Sequence, residues 1–176
     1  MAKAREVTIN FLALQAGQQA HDELAGRRVG PGGWPEFRKD AVISFDARVG
    51  EAYGAPPEEL PGAVAAIFAA TLRIANSLNF DLRPAVSSIS LITPIPASNP
   101  SLVQSINSAL VKLNKAAGAA DHGEDFPVIP TYKVGVLAAV DACLAASRAH
   151  QFDLTHELTR YWQRSLRATP ASALLF

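Results

Sequence analysis

The stretch PEELPGAVAAIFAATLRIANSLNFDLRPAV, residues 57–86, sets Val64, Ile67, Phe68, Thr71, Leu72, Ala75 and Leu78 at steps of three and four. That spacing gathers them on one helical face, and a face so apolar must be buried. Asp81 follows as an N-cap for a further short helix, so the segment reads as helix, tight turn, helix. A second copy begins 72 residues later. Sliding Val64–Leu82 onto Val136–Leu154 pairs Val64/Val136, Ala66/Ala138, Ala70/Ala142 and Leu72/Leu144, and it matches Phe80-Asp81-Leu82 with Phe152-Asp153-Leu154. Such self-similarity is the signature of a duplicated unit.

The remaining segments take positions around this pair. Residues 7–25 place Ile9, Leu12, Ala13, Ala16, Ala20 and Leu24 on one helical stripe, with Thr8 or Asn10 as N-cap. GRRVGPGGWP, residues 26–35, is too rich in glycine and proline for regular structure and reads as a loop. Residues 36–53 return to helical spacing through Phe37, Val42, Phe45, Val49 and Ala52. Prolines make residues 87–99 an extended connector, with a short edge strand as the alternative. Asn99 and Pro100 open a helix running to Gly118, a second long helix occupies about 131–150, and Asp153 caps the last one. The tail ATPASALLF is apolar and reads as docked on a partner or frayed. The expectation is one all-α domain over residues 1–176, a bundle of six to seven helices, internally pseudo-duplicated as halves 7–86 and 100–167.

Composition narrows the function classes. The chain has 176 residues, 49% hydrophobic and 18% charged, with zero formal net charge. It is more apolar than an average soluble domain, which points to a homo-oligomer, and neutrality argues against nucleic acid as a partner. Arg73, Asn76 and Asn79 interrupt the longest apolar run, so no membrane span is expected. The lone Cys143 forms no intrachain disulfide, and a charged start followed by Asn10 and three glutamines is no secretory signal. Cytoplasmic residence follows.

The order of parts resembles the MazG-like all-α nucleoside triphosphate pyrophosphatases. Gly33-Trp34 stands for that family's Gly-aromatic pair, Val49-Gly50-Glu51-Ala52 for Leu-Ser-Glu-Ala, and Asn79-Phe80-Asp81-Leu82 for the turn after its ELAD helix. The resemblance implies hydrolysis of a nucleotide's α,β bond with Mg²⁺ held by carboxylates of two adjacent helices. Here the family's three Glu positions fall on Arg48, Glu51 and Gly54, and the ELAD acids on Ala63 and Ala66, or on Gly135 and Ala138 in the second half. The resemblance therefore implies a member that binds a nucleotide or related phosphate ligand without cutting it. Its ligand-binding residues would be Trp34, Arg48, Glu51, Arg160 and Arg164, the two last standing in a basic pattern that touches phosphates on the family's final helix. A reshaped Mg²⁺ site would draw on Asp46, Glu51, Glu58 and Glu59, and would make the chain an active pyrophosphohydrolase. A structural or protein-binding oligomeric module is the third reading.

Other candidates have plainer explanations. His21-Asp22 resembles the dipeptide of HD phosphohydrolases, but no histidine precedes it, so an exposed helix end is expected. His150, His156 and Glu157 flank the second turn in capping or solvated roles. The serines of 87–101 lack a nucleophile elbow. Arg27 and Arg28 in the glycine-rich loop 26–33 offer a grip on phosphate without Walker spacing. Asp141 lies on a helix apolar almost all round, where a buried carboxylate either pairs with an arginine across the interface or marks an altered site.

Overall fold

The computed structural model describes residues 9–87, 99–122 and 127–168, and the side chains of 9–84, 104–120 and 127–168. Seven helices and no strand occur among the described residues: α1 (Phe11–Leu24), α2 (Gly33–Gly54), α3 (Leu60–Ser77), α4 (Leu82–Ser87), α5 (Asn99–His122), α6 (Val128–Ala149) and α7 (Leu154–Ala168). The connector and its edge-strand alternative, and the apolar tail, fall outside them.

Helix α3 is the hub. It packs on α1, α2, α6 and α7, while α5 closes the other side against α2 and α6. Val64, Ile67, Phe68, Thr71, Leu72 and Ala75 of the expected face are fully enclosed and Leu78 partly so, and Leu60 and Ile74, outside that expectation, are enclosed as well. Phe45 from α2, Leu113 from α5 and Val136 from α6 join them in one hydrophobic cluster. Burial of such side chains contributes about 1.5–3 kcal/mol each before conformational entropy is counted.

Three helices end in the same way. In α1 the Gly26 N–H bonds to the Glu23 carbonyl and the Arg27 N–H to the Asp22 carbonyl. In α3 the Asn79 and Phe80 N–H groups reach Asn76 and Ala75, and in α6 the Gln151 and Phe152 N–H groups reach Arg148 and Ser147. Each is a Schellman cap, with a left-handed residue supplying the reversal: Gly26 at φ 70°, Asn79 at 49°, Gln151 at 55°. The α3 and α6 caps stand at the 72-residue offset of the sequence match. Asp81 Oδ1 then accepts from the Arg83 N–H at 3.0 Å and Asp153 Oδ1 from the His156 N–H at 3.0 Å, so both aspartates start the next helix.

Four expectations change. The buried face of α1 is Phe11, Leu14, Gln18, His21 and Asp22, whereas Leu12 and Leu24 of the expected stripe are exposed, as are Ala13, Ala16 and Ala20. Alanine buries little area, and Gln18 and Asp22 on the true face bury because they find partners on other helices. Helix α2 starts at Gly33, so Trp34 and Pro35 belong to its first turn, where proline's missing N–H costs nothing. Likewise α5 runs through Gly118 to His122, and α6 takes in Pro130 near its start. Finally, α3 and α6 are each long and apolar enough to cross a membrane by length and composition, because one arginine barely dilutes α3; 78% of that α3 window is nevertheless buried inside the protein.

Candidate functional site

Two concavities flank the loop after α1. The larger, about 1020 Å³, lies between α2, the start of α3, and α7. It gathers Arg48, Glu51, Arg160 and Arg164, four of the five expected ligand-binding residues, and also Glu58 and Glu59 of the acids expected for a metal. Trp34 and Asp46 do not line it: Trp34 lies on the second cavity, and Asp46 is an exposed residue of α2.

Helix geometry explains this gathering. Arg48 and Glu51 are one turn apart on α2, and the Arg48 Nη1 donates to both Glu51 oxygens at 2.8 and 2.6 Å. The Glu51 carboxylate holds the Arg48 guanidinium above its ordinary value; burial works against this and Tyr161 of α7 adds to it. On α7, Arg160 Nη1 donates to Glu157 Oε1 at 3.0 Å in the same i,i+3 arrangement. Arg164 is different. It has no carboxylate partner among the described residues, and its Nη2 lies against Gly62 in the first turn of α3, 3.3 Å from where a Cβ on Gly62 would stand. The residue before that turn, Glu59, has helical dihedrals and makes no side-chain cap bond. The Leu60 and Ala63 N–H groups bond to the Pro57 and Glu59 carbonyls and Pro61 has none, so the Gly62 N–H, unpaired among the described residues, and the positive end of the α3 dipole meet an unpaired guanidinium. A phosphate or carboxylate placed there would satisfy both.

The carboxylates do not fit a di-metal centre. Glu51 and Glu157 are committed to arginines, and among the described residues no three His, Cys, Asp or Glu side chains come close enough to hold a metal ion.

The second cavity, about 500 Å³, opens between the end of α1, the loop, the start of α2 and the end of α3. At its floor is a buried ion pair unforeseen from the sequence. Arg73 donates from Nε to both Asp22 oxygens at 3.1 and 3.0 Å and from Nη2 to Oδ1 at 2.6 Å. Gln18 Nε2 donates to the same Oδ1 at 2.9 Å and accepts at Oε1 from Trp162 Nε1 at 2.8 Å. A polar chain thus links α7, α1 and α3. Burial alone would raise the Asp22 carboxyl, but the neighbouring His21 ring, Arg73 and Gln18 override it and lower it to about 2. His21 and Asp22 are 3% and 6% exposed, which corrects the expectation of a solvated helix end. Both His21 nitrogens are sealed without a hydrogen bond, Nδ1 lying 3.5 Å from Asp22 Oδ1 outside bonding geometry, and the ring stacks on Trp162 at 6.4 Å. The signal for the pair was available in Arg73, a charge inside an otherwise apolar helix, which requires a buried acid.

The other candidates resolve simply. Asp141 is half-buried with no ion pair among the described residues, so it faces outward and not into the bundle. Cys143 is fully buried between α6 and α3, where burial pushes its thiol up and makes it a poor nucleophile. His150 is the C-cap residue of α6, and His156 is exposed.

No family model, curated protein or solved structure matches the chain.

Proposed function

We propose that the groove between α2, α3 and α7 binds the phosphate of a nucleotide or a related phosphate-bearing small molecule, and that the chain is a duplicated, MazG-like protein acting by binding and not by pyrophosphate hydrolysis. One observation carries this reading: unpaired Arg164 rests against Gly62 in an uncapped first turn of α3. Two positive ends in contact repel, and an anion between them turns that repulsion into two attractions. Arg48 and Arg160 remain in reach of the same groove, each held by a glutamate that a more highly charged phosphate can displace. The paired Schellman caps at Asn79 and Gln151, set 72 residues apart, support the duplication.

A second reading is favoured by Glu58 and Glu59, which line the groove beside Glu51 with no ion pair among the described residues. It makes the chain an active Mg²⁺-dependent pyrophosphohydrolase whose acids assemble only around metal and substrate. A thermal-shift screen of nucleoside mono-, di- and triphosphates with and without Mg²⁺ separates the two. The binding reading expects a stabilising shift without metal that Arg164→Gln abolishes. Pyrophosphate release that requires Mg²⁺ and Glu58 establishes the enzyme, and silence from every nucleotide ends both.

A further inference from the structure

The lining of the second cavity differs in chemistry from that of the groove. One wall is aromatic. Trp34 and Phe37, one turn apart at the start of α2, meet edge to face with ring centroids 5.8 Å apart and planes at 81°, which fixes the indole while leaving Trp34 49% exposed. Val29 of the loop is exposed beside them on the same cavity. An indole held rigid by its neighbour and open to the cavity is a stacking platform with little entropy left to lose.

The opposite side is cationic. Arg73 is 7% exposed, and that remaining exposure opens onto this cavity. Its Nε and Nη2 are spent on Asp22, whereas Nη1 makes no hydrogen bond among the described residues. A nine-tenths buried guanidinium thus presents one free donor edge to the space. Arg28 and Arg27 come from the loop above it, Arg27 held in place by the Schellman cap of α1 and 3.5 Å from Asp22. Asp22 is shared between Arg73 and Arg27, whereas Arg28 has no carboxylate partner among the described residues. Three arginines against two carboxylates leave one positive charge in excess. A cavity of about 500 Å³ is within the usual range for a small-molecule site.

We infer that this cavity binds a planar aromatic monocarboxylate, its ring on Trp34 and its carboxylate between Arg73 Nη1 and Arg28. A single excess charge suits a monoanion, whereas a doubly charged phosphate monoester would leave the site net negative. The site is independent of the phosphate groove. Arg27 lines both cavities and is left out of the test for that reason.

Indole-3-carboxylate is the probe, with indole-3-carboxamide as its neutral twin and phenyl phosphate as the dianionic competitor. In the ¹H–¹⁵N spectrum the carboxylate is expected to shift the Trp34 indole N–H and leave Trp162, whose N–H is bonded to Gln18, in place. Calorimetry should show at least tenfold weaker binding for the carboxamide and for Trp34→Ala and Arg28→Ala, both made at exposed positions that leave the core intact. Equal binding of the carboxamide overturns the anion assignment, and tighter binding of phenyl phosphate overturns the monoanion. Wild-type affinity in both variants, or a silent Trp34 resonance, overturns the site.

Discussion

At the scale of single residues, the charge pair under the second cavity controls acid stability. Unfolding returns the Asp22 carboxyl to about 3.8, and folding lowers it to about 2, so the folded state is the one that prefers the ionised form. The stabilisation is complete above 3.8 and is lost as the pH falls through 2, a window worth roughly 2 kcal/mol. Urea unfolding across that range should show the loss in the wild type and a flatter profile in Asp22→Asn. The same variant strands Arg73 without its counter-charge and should cost about 3–5 kcal/mol at neutral pH. His21→Leu removes two orphan nitrogens but also one of the groups that hold the Asp22 carboxyl down, so it should flatten the same acid profile in urea unfolding. Gly62→Ala splits the two properties. It restricts the unfolded chain and displaces the Arg164 guanidinium by a few tenths of an ångström, so the thermal midpoint should rise slightly while the nucleotide shift falls.

At the scale of elements, the caps and close crossings are where chain chemistry meets fold. Gln151 holds a left-handed conformation that Gly26 takes freely and asparagine tolerates, so Gln151→Gly should stabilise by about 1 kcal/mol and Asn79→Gly by less. Chemical denaturation of the two variants side by side checks the order. Gly135 has the opposite requirement. A Cβ there would stand 2.8 Å from Leu113 Cδ2 and 3.4 Å from the Ala109 carbonyl, so α5 and α6 approach through a gap that only glycine leaves open. The helices themselves were legible because large residues such as Ile67, Phe68 and Phe45 recur with the helical period. Boundaries were not, since proline in a first turn looks like a loop in sequence and is a helix in space. The floor of the second cavity escaped for another reason: Gln18, His21 and Asp22 belong to a buried face, yet periodicity counts only apolar residues and so selected the alanine face of α1. Of the groove, Arg48, Glu51, Arg160 and Arg164 were found as types, while Gly62 gives no sign in sequence that an arginine from α7 lies upon it.

At the scale of the molecule, two similar helices meet different fates. The apolar window of α6 passes the same composition test as that of α3, yet 44% of it is buried against 78% for α3. The stripe left partly uncovered runs from Val134, half exposed, through Leu137 and Ala138, which still pack on the core, to part-buried Ala145. A stripe of this kind on an otherwise neutral chain is driven to cover itself, and a second copy offers the matching surface by symmetry. Asp141 belongs to the same stripe, so the contact must leave that carboxylate in water and is confined to the Val134 end of the helix. Light scattering during size-exclusion chromatography should therefore report a dimer that dissociates on dilution, and Val134→Lys should yield a monomer of unchanged helicity and unchanged nucleotide response. The competing destination for such a face is a bilayer. There α3 has nothing to offer, since its apolar surface is spent on the core and its one charge is buried against Asp22. Vesicles of neutral lipid should leave the protein in the supernatant. A wild type that stays monomeric at every concentration and sediments with those vesicles would assign the α6 stripe to lipid.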